Sequence, residues 1–489
     1  MSAVRWFPCW RANWIQLGID EAGEGRLVKM LELTAVESAA GARLQERLAR
    51  REAVVGLIGL GYAGLPLAVA FAEAGFPVIG VDLRRDRVDA LTAGQSYVGD
   101  IPAERLAPLI TSGGLRASTE YAALADTDVI TICVPTPLTP SKTPDTSAIS
   151  GAITALGPWL RPGQLIMLES TSYPGTTEEI VRPVIEEHGF TIGKDIFLAF
   201  APERVNPGDT HFGTRNTTKL IGGMTPACRD LATALYTTII DDVVPVSSPV
   251  VAEMAKLLEN TFRQINVAFA NEMALICERL GVDVWEVIDA AATKPFGFMP
   301  FYPGPGLGGP CIPVVPHYLA WKLKTLGYDA RFIALAEEIN EAMPAHVVRL
   351  VADALSDEAK PLRGSRVLML GITYKPDVSD TRESPPLAVL EGLLAEGADA
   401  VYHDPFVPEV QLNGHSLASV TVGAAALREA DCVVVATDHR SYDWDWIVEQ
   451  ARLIVDTRNV TAKVSADLRA RGARILKLGA PPADHSRET

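Results

Sequence analysis

Cysteine and histidine are scarce in this chain, and basic residues are outnumbered by acidic ones. Only 6 cysteines and 8 histidines occur among 489 residues. No two cysteines form a C-x-x-C pair, so we expect neither a metal site nor a disulfide framework, and thinly scattered thiols suit a reducing compartment. The 44 Lys and Arg residues face 60 Asp and Glu residues, giving a net charge of −16. This balance argues against a protein that mainly binds nucleic acid.

One stretch lacks charge for long enough to cross a membrane, namely residues 53–72. Four glycines and Pro66 interrupt it, which favours a strand, a turn and a helix over a membrane span. The N-terminus lacks the order of basic, apolar and small segments that marks a signal peptide. We therefore expect a cytoplasmic protein without membrane association. Residues 1–29 do not resemble the sequence that follows, and Met30 is an alternative first residue of the protein.

Strand-like and helix-like segments alternate in two parts of the chain. The apolar runs of strand length are 54–58, 77–81, 129–134, 165–168 and 196–200, and after residue 363 they are 366–372, 399–405 and 431–437. The helical patterns are 30–51, 66–74, 149–160, 249–280, 282–292, 317–328, 332–356 and 385–397. Such alternation predicts parallel βαβ units. The expected fold is therefore α/β, with two parallel-sheet domains joined by a helical central segment.

The turn after the first strand carries the most informative pattern. Gly59, Gly61 and Gly64 form G-x-G-x-x-G between an apolar strand and a helix. These glycines permit a tight turn, a close approach of pyrophosphate and close packing of the helix on the strand. Asp82 ends the next strand, where a carboxylate accepts ribose hydroxyls and repels a 2′-phosphate. This spacing predicts a site for NAD rather than NADP; the alternative is a glycine-rich turn without a ligand.

Cys311 lies in the glycine-rich segment GLGGPCIP. A thiol there can attack an aldehyde and give a hemithioacetal, then a thioester after loss of hydride. The alternative is a small apolar residue in a loop.

Polar residues on the long helix and after one strand are further candidates. Glu253, Lys256 and Asn260 share one helix face, and Lys with Asn is a plausible pair for stabilising an oxyanion. Glu203 and Arg204 follow a strand, where open sheets usually bind ligands. The alternatives are a solvated polar stripe and a loop ion pair.

Basic residues also follow the first strand of the second α/β part. Lys375 and Arg382 lie in the segment TYKPDVSDTRESPP. Their charges suit a phosphate at this strand end, although a charged surface loop is the simpler alternative.

Taken together, residues 52–475 resemble the UDP-sugar 6-dehydrogenase family, which oxidises UDP-glucose or UDP-N-acetylhexosamines. The segments that carry the resemblance are GLGYAGLPLA, CVPTPL, ESTSYPGTTEE, APERVNPGD, AEMAKLLENTFR, KPFGFMPFYPGPGLGG and YKPDVSDTRESP, all in family order. Within the family, the sequences of these segments are most similar to the bacterial UDP-N-acetylhexosamine branch. UDP-glucose or a uronamide relative is an alternative substrate.

The resemblance implies two Rossmann-like domains, a dimerising helical segment, and oxidation of a sugar C6 alcohol to a carboxylate with reduction of two NAD+. The implied divisions are an extension and lead-in helix (1–50), an NAD-binding domain (51–245), a central helical dimerisation segment with the nucleophile loop (246–356), a UDP-sugar-binding domain (357–480) and a tail (481–489). The implied partners are a UDP-sugar and a second copy of the chain.

The resemblance also assigns roles to individual residues. Cys311 is the nucleophile, Lys256 and Asn260 stabilise the oxyanion, and Glu203 assists proton transfer in the thioester step. The residues implied for NAD are Gly59, Gly61, Gly64, Asp82, Arg87, Thr136, Thr171 and Arg382. Those implied for the UDP-sugar are Tyr302 to Gly308, including Gly304, together with Lys375.

Two positions depart from the family pattern, which resembles GG-[HS]-C-x-P-x-D. Pro310 precedes the cysteine, and Val315 stands where a carboxylate is expected. Valine cannot position water or move a proton. His317 is a substitute base if the loop refolds. An alternative function is therefore a UDP-sugar-binding protein with impaired or absent turnover, and a third is another Rossmann dehydrogenase, such as a hydroxyacid or polyol enzyme.

Overall fold

The computed structural model describes residues 38–99, 101–206 and 211–481. Within these, the chain forms two compact units. The N-terminal unit contains residues up to 259 together with 317–329, and the C-terminal unit contains 260–316 and 330–481. The expectations for residues 1–37 and 482–489, including the alternative start and most of the tail, lie outside the described residues.

The N-terminal unit is built on a sheet of eight strands among its described residues. They are β1 (Val55–Ile58), β2 (Val78–Val81), β3 (Leu115–Ser118), β4 (Val129–Ile132), β5 (Leu165–Leu168), β6 (Phe197–Phe200), β7 (Lys219–Gly223) and β8 (Val243–Val246). Their order is β3-β2-β1-β4-β5-β6-β7-β8. The order reverses beside β1, so the carboxyl ends of β1 and β4 form the crevice where such sheets bind ligands.

One strand departs from the expected parallel arrangement. β7 pairs antiparallel with β6, with Phe200 opposite Gly222, and β8 is again parallel to β7. The described part of the β6–β7 connection contains no crossover helix. Because only a crossover lets the next strand run parallel, β7 returns in the opposite direction. Its first residues therefore lie at the edge where β1 to β6 end.

Strands β1, β2, β4, β5 and β6 are buried along their whole length. Alternate residues enter two separate apolar clusters: Leu165 and Met167 belong to one, Ile166 and Leu168 to the other. Continuous apolar runs are what a parallel sheet with helices on both faces requires.

The described helices of the N-terminal unit that precede residue 249 include three, the first, second and fifth in chain order, that overlap the predicted helices 30–51, 66–74 and 149–160; the others were not predicted. The helices are α1 (Ala39–Ala49), α2 (Gly64–Glu73), α3 (Arg85–Thr92), α4 (Ala103–Thr111), α5 (Ser147–Leu156), α6 (Arg182–Glu187) and α7 (Pro226–Tyr236). The expected helix 30–51 begins in the structure at Ala39, because the Ser38 hydroxyl accepts the Gly41 N–H at 3.1 Å and caps it.

Two long and two short helices follow the large sheet in the described chain. They are α8 (Pro249–Leu280), α9 (Val284–Ala292), α10 (Val315–Thr325) and α11 (Arg331–Asp357). Gly281 has φ of +69° and ends α8, as the sequence predicts. The Asp283 carboxylate accepts the Trp285 N–H at 3.0 Å and starts α9. Among the described residues, no helix is both apolar enough and long enough to cross a bilayer.

The C-terminal unit contains a second parallel sheet. Its remaining elements are β9 (Arg366–Leu370), α12 (Pro385–Ala395), β10 (Asp399–His403), β11 (Glu409–Leu412), β12 (His415–Ala418), α13 (Ala424–Glu429), β13 (Cys432–Val435), α14 (Trp444–Gln450), β14 (Leu453–Asp456), α15 (Ala466–Arg471) and β15 (Arg474–Lys477). The sheet order is β10-β9-β13-β14-β15, and β11 and β12 form a separate antiparallel pair. Its crevice lies beside β9, where the order reverses.

Candidate active site

The turn between β1 and α2 has room for a ligand and for little else. Gly59 has φ of +92°, and a Cβ there would lie 2.5 Å from the Cys133 carbonyl oxygen. A Cβ on Gly64 would lie 1.9 Å from the Gly59 oxygen. A Cβ on Gly61, in contrast, meets only an Arg87 nitrogen, at 3.7 Å. Packing thus requires the outer two glycines, while the middle one leaves space for a phosphate at the helix N-terminus.

Asp82 is held rigidly beside this turn. Its Oδ2 accepts the Leu60 N–H at 2.9 Å and an Arg87 N–H at 3.1 Å, and its Oδ1 accepts the Arg84 N–H at 2.9 Å. A cavity of about 280 Å³ lies alongside, lined in part by Gly61, Arg84 and Arg87. A fixed carboxylate at a glycine turn is the arrangement that accepts an NAD ribose. The structure thus brings together five of the predicted cofactor residues.

Thr136 and Thr171, predicted separately, meet in the structure. The Thr136 hydroxyl donates to the Thr171 carbonyl oxygen at 2.6 Å. The loop that follows Thr171 is fastened by Glu253, whose carboxylate accepts the Gly175 N–H at 2.6 Å and both the N–H and hydroxyl of Thr177. Burial raises the pKa of Glu253 despite these bonds. Glu253 therefore anchors a loop and does not belong with Lys256 in a polar stripe.

Glu203 is the accessible end of a buried chain of polar groups. Its Oε1 accepts the N–H groups of Arg204 and Val205, each at 2.7 Å, and its Oε2 lies 3.5 Å from Lys219 Nζ. Burial alone would raise the pKa of Glu203. The Lys219 ammonium, the backbone N–H groups and the charge of Lys256 outweigh burial and hold that pKa below its ordinary value.

Asn260 lies on α8, one turn after Lys256. Its side-chain Nδ2 is buried and has no hydrogen-bond partner among the described residues, and the same is true of Thr261 Oγ1 and Gln264 Oε1. Buried polar groups are seldom left without a partner, because each costs about 1–3 kcal/mol. An unpaired amide donor is what an oxyanion or a sugar oxygen would require. The oxyanion role expected for Asn260 stays a prediction.

Cys311 is exposed, as a nucleophile must be, whereas Cys228, Cys277 and Cys432 are buried. Its carbonyl oxygen accepts the N–H of Val315, the first residue of α10, at 2.9 Å. Val315 is 4% exposed, so its side chain is packed in the interior. The position four residues after the cysteine therefore supplies packing, and the structure shows no carboxylate in its place.

The loop before Cys311 is clamped by close backbone contacts within the C-terminal unit. The Gly304 N–H donates to Asn271 Oδ1 at 2.9 Å, and Asn271 Nδ2 donates to Asn340 Oδ1 at 2.9 Å. A Cβ on Gly308 would lie 2.5 Å from the Glu383 carbonyl oxygen. Glycine is required here because backbone packs directly on backbone.

Part of the Tyr302 side chain contacts neighbouring protein residues. Its ring stacks on Trp285 with centroids 5.7 Å apart, and its hydroxyl donates to Asp289 at 2.8 Å. Burial and Asp289 raise the pKa of Tyr302 to about 12. With 40% of its surface exposed, the ring still has one face available to a ligand.

Lys375 and Arg382 lie in the loop after β9, and this loop contacts the cysteine loop. The Gly309 N–H donates to the Arg382 carbonyl oxygen at 3.2 Å. The Arg382 guanidinium is paired with Asp380 at 2.6 Å, while the Lys375 ammonium lies 5.7 Å from the centre of the Tyr374 ring. The structure thus shows a contact between the loop predicted to bind phosphate and the loop that contains Cys311. The assignment of Arg382 to NAD stays a prediction.

The sequence reasoning missed several residues of this region. Arg458 lies two residues after β14, donates to the Ala436 carbonyl oxygen at 2.9 Å, and would meet a Cβ on Gly304 at 2.5 Å. Its place at a strand end beside the glycine loop suits a nucleotide phosphate. Asn271 in the same unit, and Lys219 in the N-terminal unit, were also missed. A basic residue two positions after an apolar strand, as in LIVDTRN, is the signal that would have indicated Arg458.

Comparison with known proteins decides what these features belong to. Three family models match in order: the NAD binding domain of the UDP-glucose/GDP-mannose dehydrogenase family over residues 53–240, its central domain over 250–342 and its UDP binding domain over 368–463. The chain belongs to the UDP-glucose/GDP-mannose dehydrogenase family. The resemblance inferred from the sequence is thereby confirmed, and the expected NAD cofactor with it.

Individual relatives in the UDP-glucose/GDP-mannose dehydrogenase family are similar over nearly their whole length. The UDP-N-acetyl-D-mannosamine dehydrogenase of Pyrococcus horikoshii is 34% identical over 83% of this chain and 95% of its own. The UDP-N-acetyl-D-glucosamine 6-dehydrogenase of Pseudomonas aeruginosa is also 34% identical, over 79% and 91%.

Solved structures of the UDP-glucose/GDP-mannose dehydrogenase family agree with the fold. The UDP-D-ManNAc dehydrogenase of Pyrococcus horikoshii gives a TM-score of 0.78 at 32% identity and covers 87% of this chain and 99% of its own. The UDP-N-acetyl-mannosamine dehydrogenase of Staphylococcus aureus gives 0.74 at 34% identity, over 87% and 99%. The expected α/β architecture is confirmed, and the protein is an NAD-dependent UDP-sugar dehydrogenase.

Proposed function

We propose that this protein oxidises C6 of a UDP-N-acetylhexosamine to the carboxylate, reducing two NAD+ per sugar. The observation that carries the proposal is the exposed Cys311 thiol on a glycine loop that packs against the loop of Lys375. This combination offers a nucleophile beside a nucleotide-sugar domain. The relatives named for N-acetylated UDP-sugars support that class of substrate.

The proposed chemistry assigns one task to each group. Cys311 attacks the C6 aldehyde formed by the first oxidation, and the second oxidation leaves a thioester. Lys256 and the unpaired Asn260 amide stabilise the oxyanions. Glu203 takes the proton of the water that hydrolyses the thioester.

For binding, we propose that Gly59, Gly61, Gly64, Asp82 and Arg87 hold NAD+. Thr136, Thr171 and Arg382 adjoin the cofactor. Tyr302, Gly304, Gly308 and Lys375 line the UDP-sugar.

A binding protein without turnover has no support among the relatives, which are named as dehydrogenases. The match to all three family domains likewise leaves no support for a hydroxyacid or polyol dehydrogenase that shares only the fold. Val315 removes one carboxylate from the cysteine loop, and no Asp or Glu occurs between Asp289 and Asp329. We propose that Glu203, held ionised by its surroundings, suffices as the base.

The decisive experiment counts NADH formed per UDP-sugar consumed, with UDP-GlcNAc, UDP-ManNAc and UDP-glucose as substrates. We expect a ratio near two with an N-acetylated sugar, and none with Cys311→Ala. Cys277→Ala is the matched control, because Cys277 is a buried cysteine on α8 and its loss should leave the ratio at two. A ratio near one would show that the reaction stops after the first oxidation. No NADH from any of the three sugars would refute the proposal.

We also propose that the protein is a homodimer formed through an exposed apolar face of α8 and α11. The exposed residues of this face in the C-terminal unit are Phe262, Phe269, Ile276, Leu280, Phe332 and Leu335. Their spacing along α8 is that of a helix-packing stripe, and so large an exposed patch is unusual in a monomer. Sedimentation should give twice the chain mass, and Phe269→Glu should give the monomer. A monomeric wild-type protein would exclude this interface.

Finally, we infer that the protein works in the cytoplasm. The reaction consumes NAD+ and a nucleotide sugar, and an exposed nucleophilic thiol needs a reducing compartment. Fractionation of the native cells should place the protein with soluble cytoplasmic markers.

A further inference from the structure

A chain of buried polar side chains reaches from the interior of the large sheet to Glu203. Lys219 Nζ lies 3.0 Å from Glu169 Oε2 and 3.5 Å from Glu203 Oε2. The Tyr236 hydroxyl donates to Glu169 Oε1. The exposed side-chain fractions are 1% for Glu169, 5% for Lys219 and 24% for Glu203. Of these three groups, Glu203 is therefore the one that can readily contact a substrate.

The strand topology explains why these groups meet. Glu169 directly follows β5 and Glu203 follows β6, so both lie at the carboxyl edge of the sheet. Because β7 runs antiparallel to β6, its first residue, Lys219, lies at that same edge. Continuing the register of Phe200 and Gly222 places Lys219 opposite Glu203. A parallel β7 would put Lys219 at the far end of the sheet.

The charged side chains in this series of polar groups have different surroundings, which shift their pKa values in different directions. Burial raises the pKa of Glu169, with Lys219 opposing it, whereas the pKa of Glu203 is held below its ordinary value. Burial would lower the pKa of Lys219, but Glu169 and Glu203 outweigh it and raise that pKa. An ammonium as buried as this one is costly unless it is paired on both sides. Its retention in the core calls for a task besides stability.

We propose that Lys219 is a positioning residue that holds Glu203 ionised and aimed for thioester hydrolysis, with Glu169 and Tyr236 fixing Lys219 from behind. This inference rests on the proposed function. In the step concerned, the water oxygen bonds to the thioester carbonyl carbon and one water proton passes to Glu203. The C–S bond then breaks, which releases the carboxylic acid and the Cys311 thiolate. The step needs Glu203 without its proton, and an adjacent ammonium favours that state.

Several charged groups face Glu203 besides Lys219. Lys256 approaches from α8 and also lowers the pKa of Glu203. Glu169 and the Cys133 thiol, after β5 and β4, act in the opposite direction if ionised, but burial and Glu169 raise the pKa of Cys133 well above its ordinary value. The neighbouring Arg204 is paired with Glu259 at 2.7 Å. Lys219 is therefore the main cation whose removal would free Glu203 to take up a proton at higher pH.

The test compares pH profiles of kcat for the wild-type protein, Lys219→Met and Lys219→Arg. Wild-type activity should fall on the acid side as Glu203 becomes protonated. In Lys219→Met we expect kcat to fall about 10–100-fold and the acid limb to move upward by about one pH unit or more. Lys219→Arg keeps the charge and should keep the limb near its original position. KM for the UDP-sugar should change less than kcat. Lys194→Met removes an exposed lysine and serves as the control.

A second variant guards against simple loss of folding. Glu169→Gln combined with Lys219→Met removes the buried pair together, so no charge is left unpaired inside the sheet. In this variant a rapid burst of two NADH per active site followed by slow turnover, with the same shifted acid limb, would support the proposal.

A folded variant with an acid limb that superimposes on the wild type would overturn the assignment of Lys219. Absence of NADH from the wild-type protein would instead refute the proposed function.

Discussion

The two parallel sheets of this molecule begin with the same backbone device. In the N-terminal unit β1 is followed by Gly59, with φ of +92°; in the C-terminal unit β9 is followed by Gly371, with φ of +82°. A Cβ on Gly59 would lie 2.5 Å from the Cys133 oxygen, and one on Gly371 would lie 2.4 Å from Thr437 Cβ. Both turns therefore require glycine because they pass against the end of the neighbouring strand.

An aspartate ends the second strand in each sheet and is held in the same way. Asp82 Oδ2 accepts the Leu60 N–H at 2.9 Å, and Asp404 Oδ2 accepts the Ile372 N–H at 2.8 Å. The two carboxylates occupy equivalent places in two copies of one fold.

The third partner of each aspartate differs. Asp82 pairs with Arg87, which is 26% exposed beside a cavity, whereas Asp404 pairs with His439 at 3.0 Å and both of these side chains are completely buried. The His439 Nδ1 accepts the Asp377 N–H at 3.0 Å, so Nε2 carries the proton that Asp404 accepts. The same fold therefore places one carboxylate beside a cavity and pairs the equivalent carboxylate with a histidine in the interior.

The largest effect is expected from Gly64→Ala. Its Cβ would lie 1.9 Å from the Gly59 oxygen, so the turn must move, at a cost of about 3 kcal/mol. We expect the Kd for NAD+, measured by calorimetry, to rise about 100-fold or more. UDP affinity of the C-terminal unit should stay unchanged. Gly151→Ala on α5, where a Cβ meets nothing within 4 Å, is the control; an unchanged Kd in Gly64→Ala would contradict the packing argument.

A somewhat smaller effect is expected from Asp404→Asn. Asp404 accepts hydrogen bonds from Ile372, Phe406 and His439, and an asparagine has one acceptor oxygen, so at least one of these donors faces an amide N–H instead of an acceptor. We expect the free energy of unfolding to fall by about 2 kcal/mol in chemical denaturation, with NAD+ affinity unchanged. An effect on NAD+ binding instead of stability would mean that the second aspartate also serves the cofactor.

The smallest effect is expected from Asp82→Asn. Arg87 can turn toward water, so stability should change less than in the Asp404 variant. We expect NAD+ to bind about tenfold more weakly, because the ribose loses a charged acceptor, and the preference against NADP+ to shrink. The ratio of the two Kd values measures this. An unchanged ratio would remove Asp82 from cofactor selection.

Local patterns predicted one part of the site well. Gly59, Gly61, Gly64 and Asp82 are separated by one turn, one helix and one strand, so their meeting follows from a single βαβ unit. The structure also shows that Cys311 is exposed and that its loop contacts the loop of Arg382, while the roles expected for these residues stay predictions.

Other parts could not be predicted from spacing. The direction of β7 depends on which neighbour it pairs with, and Lys219 reaches Glu203 only because that pairing is antiparallel. Glu253 looked like a member of a polar helix face, yet the fold uses it to fasten a loop 76 to 78 residues away. Arg458 and Asn271 are likewise defined by the loop around Gly304, which each of them contacts.

The sequence by itself determined the fold class, the cofactor and the family, because these depend on residues close together in the chain and on segments in a fixed order. The tertiary structure alone decided which of two equivalent aspartates faces a cavity, which glutamate receives a lysine, and which asparagine amide is left without a partner. Those outcomes depend on groups that are far apart in sequence, and the free energy of burying a charge or an amide depends on what the rest of the chain places beside it.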